Sequence, residues 1–445
     1  MHALIRFFKL TPIAALCVAP LSVLATNGMN MEGYGPISTG MGGASQAFDH
    51  GTAAMAQNPA TLALMAPGSR FDGAIGLLGP RVTSTMAGMP AAESDGKAYA
   101  MPAFGYAKRS GALTYGFGIF AQGGMGTDYS ENTFLAGGSG QPVRSELGVG
   151  RVLLPVAFQV TPDLAVGATL DFMWAGLDMR MAMPGSQLGS LVTGASGSLA
   201  GMLAPLGSAP WARIDFSNSS DFTGAAKSTG WAGKLGAVYK LTPAFSMGAS
   251  YQFESSLGDM KTGATGASLS APGGFLDQGR ITVVDFQWPA TTAVGLAWQA
   301  TPALLLAADV KRLDWASVMK DFKLRYDSAG TSMPGVSGSV NFALPQNWKA
   351  QTVTSLGVAY AVNSALTLRG GVNLADNPIP DATVNPLFPA TEKTHYTAGV
   401  GYRFSPASEF NGSLTVAPNS SVTNGQGIVI THKQLNLQLM YTHRF

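Results

Sequence analysis

From Ser69 to the last residue, apolar and polar positions alternate in short runs. The clearest run is the last. In Gln434–Phe445, Leu435, Leu437, Leu439, Tyr441, His443 and Phe445 fall on one side, and Gln434, Asn436, Gln438, Thr442 and Arg444 on the other, with Met440 the exception. A period of two places successive side chains on opposite faces of a strand. Leu164, Val166, Ala168, Leu170, Phe172 and Trp174 repeat the pattern against Thr169 and Asp171, and the stretches from Phe245 to Phe253 and from Tyr396 to Phe404 repeat it again. Short turns separate the runs at Thr161-Pro162-Asp163, Thr242-Pro243-Ala244, Thr301-Pro302-Ala303 and Asn363-Ser364-Ala365, with weaker ones at Lys108–Gly111 and Ser405-Pro406-Ala407. Proline presets the φ such turns need. Six hairpins, a first strand at Phe71–Thr83 and a last at Gln434–Phe445 predict fourteen strands. An even number starts and ends on one side, as bacterial outer-membrane barrels do. The expected fold class is all-β, a 14-stranded antiparallel transmembrane β-barrel with short periplasmic turns and long outer connections. Trp174, Trp298, Trp315 and Tyr360 are expected near the interfaces. A soluble all-β repeat protein is the alternative.

Composition supports the membrane reading. Of 445 residues 46% are hydrophobic and only 12% charged, against roughly 25% charged in soluble domains. After the amino-terminus no run approaches the ~18 apolar residues of a spanning helix. Residues 1–25 read as a signal peptide: Arg6 and Lys9, then an apolar stretch from Leu10 to Leu24, then a small-residue cut after Ala25. The only cysteine, Cys17, leaves with it, and so do the two surplus positive charges, so the mature chain has no thiol chemistry and no net charge. Nothing points to nucleic acid.

Residues 26–67 show no alternation and are rich in Gly, Ala and Met. Thr52–Gln57 allows one or two helical turns, stopped by Asn58-Pro59. The segment reads as an N-terminal hatch packed inside a barrel over 68–445, or as a flexible leader. Of the outer connections, 176–227 is the longest. Its Leu188, Leu191, Val192, Leu199, Met202 and Leu203 recur at spacings of three and four, which predicts short amphipathic helices. They either pack on each other over the mouth or offer apolar surface to a ligand. The connection 258–280, with Leu269, Phe275 and Leu276, is the expected other wall.

Leu113, Tyr115, Phe117 and Ile119 alternate cleanly, and then Gln122-Gly123-Gly124-Met125-Gly126 breaks the period. Glycine within a strand marks a bulge or kink, or here the strand's end. By alternation Arg151, Lys234, Arg369 and Arg403 face inward. A buried cation needs a partner: Asp171, Glu254, Glu32 or Asp49, or the carboxylate of a ligand, for which Arg151 and Arg369 are the first candidates. The five histidines show no metal-ligand spacing, and no catalytic or phosphate-binding motif is present. No cofactor, metal or catalytic residue is expected, and an outer-membrane hydrolase is a remote alternative.

With these residues in view, the chain resembles the FadL family of outer-membrane long-chain fatty-acid and hydrocarbon transporters. The resemblance rests on Gly40-Met41-Gly42-Gly43-Ala44, Gln57-Asn58-Pro59-Ala60, Leu344–Trp348, Asp376–Asp381, Asn385–Pro389 and the terminal Phe445. It implies a monomeric fourteen-stranded barrel, a hatch that carries Gly42, Gly43, Asn58 and Pro59, and diffusive uptake without an energy-coupling protein. It also implies lateral exit through a kink in the third strand, here Gly123, Gly124 and Gly126, into outer-membrane lipid of a Gram-negative bacterium. The barrel-assembly machinery is the expected partner of the strand ending at Phe445, where His443 departs from the family's aromatic or aliphatic residue. The expected ligand is a long-chain fatty acid, with a monoaromatic hydrocarbon second. A general porin for polar solutes and a structural or adhesive barrel are the alternatives from other classes.

Overall fold

The computed structural model describes residues 27–220 and 223–445; the expected signal peptide and Thr26 lie outside the described residues. Where the sequence alternates, strands form: β1 (Gly68–Thr85), β2 (Tyr99–Ser110), β3 (Leu113–Tyr129), β4 (Val143–Gln159), β5 (Leu164–Met183), β6 (Ala226–Thr242) and β7 (Phe245–Gln252). β8 (Thr291–Thr301), β9 (Leu304–Leu313), β10 (Gln351–Ala361), β11 (Leu366–Ala375), β12 (Thr394–Arg403), β13 (Ser408–Thr423) and β14 (Val429–Arg444) follow. Each of these strands pairs antiparallel with the next in order. β14 then pairs with β1 from Arg70↔Arg444 to Thr85↔Val429 and closes the sheet into a barrel. Closure leaves no free edge, the condition for a sheet to sit in hydrocarbon. Outward positions such as Leu154, Val156, Leu170, Leu235 and Leu296 are exposed, as a lipid-facing band requires.

Two expectations need correction. Among the described residues the sheet holds 23 strands rather than the fourteen counted from turns, because the outer connections pair among themselves. Ala267–Ala271 forms a hairpin with Phe275–Val284, Asp321–Ser328 joins that hairpin to Ser339–Pro345, and Val192–Ala195 adds to Ser339–Pro345. Two of these ladders are local, turned by Pro272-Gly273-Gly274 and by residues 329–338, while the other two join loops that are distant in sequence and that no short turn announces. Trp174, Trp298 and Tyr360 point outward, but Trp315 is fully buried and stacks edge-to-face on Trp288 and Trp348 at 5.4 and 5.2 Å. Arg403 keeps the inward face of β12, directly across from the buried Glu409 at 3.8 Å, and at the strand's end its side chain is half exposed.

Residues 27–65 lie inside the ring, nearly all buried. The wall is shaped to their backbone. Asp309 on β9 accepts the N–H groups of Ser45 and Gln46 at 2.7 and 3.2 Å, and Lys311 donates to Gly43 O at 2.9 Å. Asp72 on β1 accepts from Thr52 N at 2.7 Å. Gly42 donates to Thr397 Oγ1 and accepts from Asn373, each at 3.0 Å. Inward glycines supply the clearance: a Cβ at Gly167 would lie 2.6 Å from Ala60 N, and one at Gly371 would collide with Met41 and Gly42. Gly43, at φ 84°, adopts the left-handed turn that Gly tolerates.

Asp309→Ala leaves two buried N–H groups without an acceptor, at a cost of about 1–3 kcal/mol each. The expected outcome is faster amide hydrogen exchange over residues 41–48, with the barrel still resisting unfolding in cold SDS because its ladder is intact. Unchanged exchange there would show that Asp309 does not anchor the segment.

Candidate functional site

The barrel wall is interrupted on one side. β3 pairs with β2 only from Leu113↔Ser110 to Ile119↔Phe104. Beyond that, Tyr99–Ala103 stay with β1, while β3 continues along β4 to Tyr129↔Val143, with a bulge between Ala121 and Gly123. The two strands therefore part above Ile119, at the broken period around Gln122–Gly126. The backbone left without a strand partner is taken by the inner segment. Gly123 bridges Asn30, Gly124 N donates to Met29 O at 3.0 Å, and Gln122 O accepts the Tyr34 hydroxyl at 2.7 Å. A Cβ at Gly123 would collide with Met29 O, so this approach requires glycine.

A cavity of about 490 Å³ occupies the interruption. Met101, Pro102, Ile119, Phe120, Ala121, Gly148 and Trp174 line it, with Glu146, Lys227, His432 and Gln434 among its polar residues. The surface is mostly apolar. Behind Gly123 stands Trp288 of the buried tryptophan cluster, part of the same apolar core as Met29 and Met173. Apolar walls with a few polar groups are the usual make-up of a small-molecule site.

The candidate carboxylate ligands are spent elsewhere. Arg151 is 1% exposed, 3.3 Å from Asp171, hydrogen-bonded to Gln252 and to Ala56 O, and its guanidinium lies 5.2 Å from the Tyr34 ring centre. Lys234 donates to the same Ala56 carbonyl. Arg369 donates to Asn411 at 3.0 Å. β4 and β11 lie on opposite sides of the ring, so Arg151 and Arg369 do not meet, and neither lines the cavity.

In the long outer connection, α1 (Gly185–Ser190) and α2 (Gly197–Ser208) form where the spacing predicts helices and pack on each other. Leu188 and Leu199 are buried, while Leu191, Met202 and Leu203 are partly covered. Phe275 and Leu276 sit at a hairpin tip, with Leu276 exposed. Only Leu191 of this set reaches an outer cavity, of about 220 Å³; its opposite wall is Leu344–Gln346 and Ala382–Leu387, not the expected 258–280. Of the inner motif, Asn58 caps the turn Pro59–Leu64 through Ala60 N and donates to Ala237 O on β6, and Pro59 packs on Gly167. Gly124 and Gly126 line the wall cavity with Gly123. Sequence reasoning missed Met29, Asn30, Tyr34, Met101 and Trp288, since no local pattern marks them.

Glu392, in the connection before β12, is 1% exposed, and its Oε1 lies 3.9 Å from His432 Nδ1, which already contacts Pro389 O. Burial without a hydrogen bond pushes its carboxyl from the ordinary 4.5 up to about 9. A raised carboxyl pKa leaves stability intact below the unfolded-state value and erodes it as pH rises toward the folded value. Glu392→Gln is therefore expected to raise the unfolding temperature at pH 8, with the gain vanishing as pH falls toward 4.5. A gain independent of pH would mean that Glu392 is ionised in the folded barrel. Arg151→Met leaves Asp171 buried and unpaired, so it is expected to destabilise by about 3–5 kcal/mol, and the double change with Asp171→Leu to recover most of that loss. Chemical unfolding in detergent reads both, and a double variant no better than the single one would rule out the ion pair as the cause.

Comparison with known proteins matches this architecture. Residues 19–436 match the family model described as outer membrane protein transport protein (OMPP1/FadL/TodX). The toluene transporter TodX of Pseudomonas putida is 33% identical over 93% of this chain and 99% of its own, with a TM-score of 0.83. The toluene transporter TbuX of Ralstonia pickettii is 32% identical over the same shares, with a TM-score of 0.78. The CymD monoaromatic hydrocarbon channel is 26% identical over 95% of this chain and 99% of its own, at 0.75. An uncharacterised curated relative from Chlorobium limicola is 56% identical over 45 residues, so this chain spans about a fifth (22%) of that relative's length. With a closed antiparallel barrel and a family match over nearly its whole length, the chain belongs to the OMPP1/FadL/TodX family of outer-membrane channels for hydrophobic compounds.

Proposed function

We propose that this outer-membrane protein carries monoaromatic hydrocarbons inward by diffusion and releases them sideways through the interruption between β2 and β3. The observation that carries the reading is the apolar cavity at that interruption. A solute leaving there stays out of water, and transfer from water to hydrocarbon is worth about 0.8 kcal/mol per CH₂. In this reading fourteen strands, β1 to β14, cross the membrane. Residues 26–67 form a hatch that stays in place, and 68–445 form the barrel. A neutral ring as ligand, rather than a long-chain fatty acid, is supported by the named specificities of TodX, TbuX and CymD. It is also supported by the engagement of Arg151 and Arg369 with protein partners, which leaves them no part in holding a carboxylate. The filled lumen speaks against a general porin.

The test is uptake into proteoliposomes. The wild-type protein is expected to speed entry of labelled toluene far more than that of oleate or a sugar. Met101→Cys, at the edge of the cavity, is expected to transport normally until a bulky maleimide is attached, and then to stop. The only native cysteine lies in the leader, so the label is specific. Faster entry of oleate than of toluene would overturn the choice of ligand. Undiminished uptake by the labelled protein would overturn the route.

A further inference from the structure

Seven glycines line the wall cavity: Gly123, Gly124, Gly126, Gly148, Gly150, Gly176 and Gly224. Six of them are accounted for by neighbouring protein atoms. A Cβ at Gly123 would strike Met29 O, at Gly124 Leu147 O, at Gly150 the Trp174 ring and at Gly224 Leu177 N. A Cβ at Gly126 would lie 2.8 Å from Ser145 O, and at Gly176 2.8 Å from Gly224 N. Gly148 is different. A Cβ there meets nothing within 4 Å, and its φ lies outside the left-handed region, so the backbone would accept any residue. It sits within β4, paired with Gly124 on one side and Gly176 on the other. Outward positions further down the same strand carry Leu154 and Val156, both exposed.

Glycine inside a strand gives up side-chain packing and costs roughly 0.5–1 kcal/mol against alanine. Such a position usually marks close approach of another backbone or of a ligand. At Gly148 no backbone approaches, and the exposed residue is one of those lining the cavity. We propose that Gly148 sets the bore of the wall opening. The missing side chain keeps the outer mouth clear for a flat apolar ring, with the exposed Trp174 face beside it, and a side chain at 148 admits small rings while refusing larger ones. The proposal rests on the lateral route described above and adds to it the residue that sets the size limit.

The experiment is a graded series, Gly148→Ala, Gly148→Val and Gly148→Leu, in proteoliposomes, with toluene and naphthalene as paired probes. The readout is the naphthalene-to-toluene uptake ratio relative to wild type. It is expected to fall stepwise with side-chain volume, by roughly tenfold or more for leucine, the scale of overfilling a fitted space. If the leucine variant does not assemble, as judged by its migration in SDS before heating, Gly148→Cys is labelled after assembly with methanethiosulfonates of increasing size, and the same ratio is read. An unchanged ratio in a folded leucine variant or a fully labelled cysteine variant overturns the proposal. The ligand reading fails separately: if wild type carries oleate and neither ring, the same variants are compared for oleate uptake, and undiminished oleate uptake then removes Gly148 from the route.

Discussion

Hydrocarbon offers no partner for a peptide group, and that constraint governs this molecule. Every N–H and C=O at membrane depth must be paired within the protein. The ladder from β1 to β14 and back to β1 meets the demand around the wall. Where β3 parts from β2, the same demand is met from inside. Met29, Asn30 and Tyr34 take the polar backbone of Gln122, Gly123 and Gly124. An opening in a barrel wall is normally costly because it exposes an edge. Here the inner segment acts as a fragment of strand, so the edge is covered while the space in front of it stays open.

The inner segment can do this only because it is held firmly. Its own backbone is satisfied by inward side chains on β1, β9, β11 and β12, and inward glycines on β5 and β11 let it lie close against the wall. The two cations on β4 and β6 converge on a single carbonyl, Ala56 O, with Asp171 balancing the charge. A buried charge tolerates no loose partner, so this cluster ties the segment to the half of the ring that carries the opening. The polar residues of the lumen thus serve the position of the segment, and the apolar residues of the opening are left to deal with the solute.

Charge is sparse along the passage, where only Glu146 and Lys227 carry it among the described residues lining the cavity. The Met- and Trp-rich interior around Trp288, Trp315 and Trp348 borders the gap at Gly123, whereas Arg151 and Arg369 are turned to protein partners. A solute that needs no counter-charge suits such a path better than one that does. The outer loops add a separate, half-polar hollow near Leu191, closed by the stretches Leu344–Gln346 and Ala382–Leu387.

What the sequence determined by itself was whatever depends on local period. Alternation specified the wall strands, proline and small polar residues specified the six short turns, and spacings of three and four specified the two helices over the mouth. The lack of period before Pro67 separated the inner segment from the wall, and the broken period after Ile119 located the interruption. Only the tertiary structure decided which distant groups meet. The outer ladders of Val192–Ala195 on Ser339–Pro345 and of Phe275–Val284 on Asp321–Ser328 join loops that carry no turn signal between them. Trp315 went inward because two other tryptophans were there to receive it, although its type suited an interface equally well. Arg151 found Asp171 and Ala56 rather than a ligand, and Gly124 found Met29 rather than β2. Those choices rest on pairing energies between residues far apart in the chain, and a period of two or of three and four carries no record of them.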